Sequence, residues 1–260
     1  MKRREFLTAG ALAGLASTSP LALAAAGEGP AKKQFLELRL CLLDSQAKQE
    51  AIIQFLGKAL IPALNRIGVG PIGVFTMAEE ETPNLYTLSP HDSLDTVVGW
   101  VHRLGEDEKF LQDGADFLSA PKNDPAYARM ESSLLLAFDE MPKLEVPSKK
   151  DTRVFQLRIY ESHSVLAGQR KIEMFNAGGE IAIFRRCGMT PVFFGEALVG
   201  TKLPNLTYML GFDDREAGDA AWKRFIAHPD WAKLKADPYY KDTVSNITNI
   251  WLNPAPCSQI

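Results

Sequence analysis

One strand-like segment occurs twice in this chain, and that repeat narrows the available folds more than any other feature. Val154-Phe155-Gln156-Leu157-Arg158-Ile159-Tyr160-Glu161 alternates as a β-strand does, with Phe155, Leu157 and Ile159 on one face and Gln156, Arg158 and Tyr160 on the other. Leu36-Glu37-Leu38-Arg39-Leu40-Cys41 has the same alternation, with Arg39 standing where Arg158 stands. The spacing of about 120 residues is the size of a small domain, so the pattern reads as duplication of a whole folding unit.

The landmarks after each copy come in the same order. In the first half, Asp44 and Ser45 offer an N-cap to a helix whose apolar residues run from Ile52 to Leu64 at helical spacing. Pro62 is expected to kink or split that helix, and Gly68 and Gly70 to end it. Strands are predicted at 71–77, 85–88 and 129–138, with a second helix capped by Asp92 or Ser93 before the last of them. In the second half, His163-Ser164 forms the cap region, and Gly178-Gly179 weakens the helix near the place of Pro62. Leu203-Pro204-Asn205-Leu206 matches Thr82-Pro83-Asn84-Leu85, and Asp237-Pro238-Tyr239-Tyr240 matches Asp124-Pro125-Ala126-Tyr127. Strands are predicted from 190, at 206–212 and at 245–252, and a helix carrying Ala217, Ala221, Trp222 and Phe225 precedes the last.

Each half therefore reads strand–helix–strand–strand–helix–strand, the ferredoxin-like plan of an α+β fold with both helices on one face of an antiparallel sheet. That plan leaves the other sheet face bare. Two tandem halves can cover each other's bare face and form an intrachain pseudo-dimeric α+β barrel. The expected organisation is a first domain over 34–140, a linker over 141–152 and a second domain over 153–254. Phe155, Leu157 and Ile159 are expected under the helices, and Arg39, Cys41, Gln156, Arg158 and Tyr160 are expected in the space between the sheets.

Residues 1–26 read as an address. Arg3-Arg4-Glu5-Phe6-Leu7 resembles the twin-arginine export motif, an uncharged Ala/Gly/Leu-rich stretch follows, and Ala22-Leu23-Ala24-Ala25-Ala26 has the small residues of a cleavage site. Gly10, Gly14 and Pro20 interrupt a stretch already short for a membrane span, so the expectation is a cleaved signal, a periplasmic or otherwise exported protein, and no stable span afterwards.

Composition excludes some functions. The net charge of −3 and the lack of a long basic run give nucleic-acid binding little support. Three cysteines, Cys41, Cys187 and Cys257, lack CxxC spacing, which argues against a zinc site or a disulfide framework and leaves a single disulfide open. No Gly-rich phosphate loop, nucleophile elbow or HExxH occurs, and no cofactor is evident.

The strand 155–160, the turn and strand at Gly188 and Pro191-Val192-Phe193, Pro204-Asn205-Leu206, and the helix from Trp222 to Trp231 resemble the NIPSNAP family. The resemblance is clearest over 154–254, and residues 34–140 look like a diverged first copy. It implies the dimeric α+β barrel superfamily and brings no agreed catalytic residues.

Arg39 and Arg158, with Gln156 and Tyr160, are the candidate ligand-binding group, an anion clamp if the sheet faces converge. The plainer reading is a structural ion pair at each arginine. His228 and Trp231 are secondary candidates, and His228-Pro229-Asp230-Trp231 reads equally as a helix break with Pro229 at the first helical position. The function expected is binding of a small, partly apolar or anionic molecule between the two sheets. The alternative is an enzyme of the same barrel type, cofactor-free monooxygenase-like or haem-related, acting on a hydrophobic or aromatic substrate. The partners expected are that small molecule and the chain's own second half, with further homo-oligomerisation left open.

Overall fold

Residues 32–260 are described by a computed structural model; the export signal expected over residues 1–26 lies outside them. The first half runs β1 (Phe35–Leu42), α1 (Gln46–Phe55), α2 (Ile61–Arg66), β2 (Gly73–Met77), β3 (Leu85–His91), α3 (Leu94–Gly105), α4 (Glu108–Asp113), α5 (Ala115–Leu118) and β4 (Arg129–Ala137). The second half runs β5 (Val154–Glu161), α6 (Val165–Phe175), α7 (Glu180–Arg186), β6 (Thr190–Val199), β7 (Asn205–Phe212), α8 (Arg215–Ala227), α9 (Pro229–Ala236) and β8 (Asn246–Pro254).

Local chemistry sets where these helices begin. Ser45, Ser93, Ser164 and Asp214 each accept the backbone N–H three residues on, as N-caps do. A π-helical turn, Leu56–Leu60, joins α1 to α2 just before Pro62. The wider turn lets the chain absorb a residue that has no N–H to donate, so the helix continues past Pro62 instead of breaking. In the second half the same place is a true break, with Gly179 in the left-handed region at φ 84° between α6 and α7.

All strand pairs are antiparallel, in the order β4-β1-β3-β2 within the first half and β8-β5-β7-β6 within the second. β2 pairs with β8 and β4 with β6, which closes one eight-stranded barrel from the two sheets. Residues 142–152 form neither helix nor strand. They tie the halves instead: Leu144 N–H donates to Gln34 Oε1 (2.9 Å), and Glu145 N–H to the Val192 carbonyl (2.9 Å). After β8 the chain turns back along β2, where the Ile72 N–H donates to Gln259 Oε1 (2.8 Å) and the Ile260 side chain is buried.

The faces of the repeated strands are exchanged relative to the expectation. Leu36, Leu38, Phe155 and Leu157 point into the barrel, where they pack with Phe75, Leu88, Phe193, Met209 and Leu252. Phe75 of one half meets Phe155 of the other with ring centroids 5.0 Å apart. Cys41 joins the core beneath the first-half helices and Tyr160 the core beneath the second-half helices. An eight-stranded barrel is narrow enough for side chains to fill, and a charge placed there would lose its water. The space between the sheets is thus packed core rather than a binding site. The three cysteines are unpaired, with Cys41 and Cys187 buried.

Candidate ligand-binding cleft

The polar face of β5 opens on a cleft of about 1340 Å³. Its floor is Gln156, Arg158 and Tyr160 of β5 with Ile247, Asn249 and Trp251 of β8. Trp222 and Ile226 of α8 form one wall, and Trp231 of α9 with residues 240–244 forms the other.

Arg158 is the centre of this floor. Its guanidinium stacks on the Trp222 indole at 4.6 Å and lies 5.5 Å from the Tyr160 ring centroid. Nη2 donates to the Tyr160 hydroxyl (3.2 Å), while Nε is buried with no hydrogen-bond partner among the described residues. Tyr208 donates to the same Tyr160 oxygen (3.0 Å). Burial pushes the Tyr208 phenol well above 10, so it stays a neutral donor and supplies no anion to Arg158. The Trp222 indole N–H donates to Gln156 Oε1 (2.7 Å), which fixes the indole plane under the guanidinium.

Behind Arg158 lies a buried ion pair. Lys171 Nζ is 2.8 Å from Glu180 Oε2, with side chains 5% and 2% exposed. Burial raises the Glu180 carboxyl above its usual range, and Lys171 offsets part of that rise. The glycine break at 178–179 turns α7 so that its first residue, Glu180, meets Lys171, the seventh residue of α6, across nine residues of chain. Lys171 is thereby committed to Glu180, and among the described residues Arg158 makes no ion pair, although the Glu180 charge also senses it from farther off.

The first half answers the same arginine differently. Arg39 lies 4.8 Å over the Trp100 ring, as Arg158 does over Trp222. Its Nε donates to Glu37 Oε1 (2.8 Å), and Ser132 Oγ donates to the same oxygen (3.0 Å). Burial alone would raise the Glu37 carboxyl, but the nearby His91 imidazole and the Arg39 and Ser132 donors hold it below its ordinary value. His91 Nε2 stands 3.6 Å from Glu37 Oε2, beyond hydrogen-bond distance. Glu37 and Gln156 both lie two residues before their arginine, so a carboxylate in one copy is a neutral amide in the other.

Of the residues singled out in the sequence, Gln156, Arg158, Tyr160 and Trp231 meet in the cleft. Arg39 does not join them. It sits under the helices of the other half, and its anion is Glu37, so the expected convergence of two arginines is corrected. His228 caps α9, its Nδ1 accepting the Asp230 N–H (3.2 Å), with Pro229 at the first helical position, and it does not line the cleft. Lys171, Glu180, Tyr208 and Asn249 were not marked by any motif. Glu37 did carry a signal, because residues two apart on a strand share a face. Among the described residues, no group of three His, Cys, Asp or Glu side chains is placed to hold a metal ion.

Two ferredoxin-like halves closing one barrel define a dimeric α+β barrel fold, here contained in a single chain. The likeness spans most of the chain. A proposed monooxygenase from Fusobacterium nucleatum subsp. nucleatum superposes with a TM-score of 0.57 at 8% identity, covering 86% of this chain and 93% of that one. A proposed monooxygenase from Lactobacillus acidophilus gives 0.58 at 10% identity, covering 85% and 94%. Identities this low show the fold alone. Residues 155–259 match the NIPSNAP family, so the half that holds the cleft is a NIPSNAP domain. An uncharacterized NIPSNAP-like domain protein from Burkholderia xenovorans is 20% identical over 41% of this chain and 88% of its own, with a TM-score of 0.37. No curated protein matches the chain.

Proposed function

We propose that the NIPSNAP half binds a small organic anion with an apolar body, its charge on Arg158 and its body against Trp222 and Trp231. The observation that carries this reading is the buried, unpartnered Nε of the Arg158 guanidinium at the cleft floor, with no carboxylate in ion-pair contact among the described residues. Arg158 is half-buried, and a cation drawn partly out of water without a counter-ion in contact gains from an anionic ligand. The cleft carries six basic against three acidic side chains in a chain whose net charge is −3. Titration of the protein with 2-naphthoate and with its uncharged methyl ester, followed by calorimetry, tests the reading. Binding of the acid with at least tenfold preference over the ester supports it, and equal or absent binding of both defeats it.

The whole-chain likeness to two proposed monooxygenases favours one second reading, turnover of an aromatic substrate in the same cleft with oxygen as oxidant. Oxygen consumption on adding such an anion would distinguish turnover from binding. The twin-arginine-like segment at Arg3-Arg4 supports an exported setting for either activity.

A further inference from the structure

The two halves place the same arginine against the same strand register, and one of them holds a carboxylate there already. Arg39 of β1 is opposite Ser132 of β4, and Arg158 of β5 is opposite Asn249 of β8. In the first half this register brings Arg39 and Ser132 together on a single oxygen of Glu37. In the second half Gln156 replaces Glu37, its oxygen is occupied by the Trp222 indole, and Asn249 lines the open cleft. Ser132 and Asn249 are both solvent-exposed polar residues next to their arginine.

Resting on the reading of the cleft as an anion site, we infer that Glu37 is an internal image of the bound ligand. The ligand's carboxylate takes, in the second half, the place that the Glu37 carboxylate holds in the first, and Asn249 is the second donor to it. Residue 156 then decides whether the site is open. A glutamine leaves the Arg158 charge to a ligand, whereas a glutamate would satisfy it from within, as Glu37 satisfies Arg39. The carboxylate recognised is one that can lie flat over β5 and β8 with its apolar body directed along Trp222.

Calorimetric titration of the full chain with 2-naphthoate tests this. Asn249→Ala should weaken binding by about tenfold, the effect of one hydrogen bond to a charged group. Gln156→Glu should weaken it by more than about thirtyfold, and Asn249→Asp likewise, by placing a like charge at the carboxylate. Ser132→Ala should leave binding unchanged. Asn249 is exposed, so its two variants decide the matter even if Gln156→Glu does not fold. Wild-type affinity in Asn249→Ala or Asn249→Asp, with binding lost in Arg158→Met, overturns this inference and leaves the cleft reading standing. Failure of the wild-type protein to bind 2-naphthoate overturns both.

Discussion

Replacing Lys171 by Met would keep most of the side-chain volume and strand the Glu180 carboxylate. The two groups are 2.8 Å apart with side chains 5% and 2% exposed, and the ammonium also lies 4.6 Å from the Phe175 ring centroid. Removing one member of such a pair leaves an uncompensated buried charge, at a cost of about 3–5 kcal/mol. In a domain of this size each kcal/mol moves the melting temperature by roughly 2–4 °C, so the expected fall is on the order of 6–20 °C. The pH dependence has a definite sign. Glu180 already has a raised folded-state pKa, and loss of Lys171 raises it further. The native state then binds a proton that the unfolded chain does not. Stability from that proton is present at low pH and is lost as pH rises through the folded value. The deficit of Lys171→Met against wild type should accordingly be larger at about pH 7.5 than at about pH 5. The double variant Lys171→Met/Glu180→Leu, which buries no charge, should regain much of the loss. Urea unfolding of wild type, Lys171→Met, Glu180→Leu and the double variant at both pH values measures this. A single-variant loss below about 1 kcal/mol, or a double variant as unstable as the sum of its parts, would refute the reasoning.

Three other outcomes follow from the same geometry. Residues 153–260 expressed alone should dimerise, because β8 and β6 lose β2 and β4 and the barrel interior is bared; a stable monomer in light scattering would contradict the barrel. Glu37→Gln should cost roughly 1–3 kcal/mol at neutral pH. The depressed Glu37 pKa contributes stability above the ordinary value of 4.5 that is lost on acidification, so the gap to wild type should narrow below that pH in unfolding titrations. Arg3→Lys with Arg4→Lys should retain the precursor in the cytoplasm, read by fractionation, and unaffected export would exclude the twin-arginine route.

Much of the architecture was legible in the residues themselves. The bounds of the two repeated strands, the serine caps at Ser45, Ser93 and Ser164, and the helix start at Pro229 all follow from alternation and capping chemistry. Which strand face meets the helices was not legible. Both faces of β5 are largely buried, with Phe155 and Leu157 inside the barrel and Gln156 at 2% and Tyr160 at 9% exposure outside it. A period of two separates the faces without naming their neighbours. The polar side went to the helices because that layer, and not the closed barrel, has a gap water can enter. Lys171 and Glu180 were invisible for another reason. Nine residues apart on opposite sides of a glycine break, they read as solvated helix charges until the break folds one onto the other.

The most direct measurement is the affinity of Arg158→Met for 2-naphthoate, taken together with its melting temperature. Arg158 has one side-chain hydrogen bond, to Tyr160, its stacking on Trp222, and no ion pair among the described residues; Met keeps the stem packing, so the fold should change little. Loss of a charge-assisted contact worth about 1.5–3 kcal/mol should weaken binding roughly 10- to 150-fold, with melting shifted by only a few degrees. Unchanged affinity in a folded Arg158→Met protein would contradict the anion site.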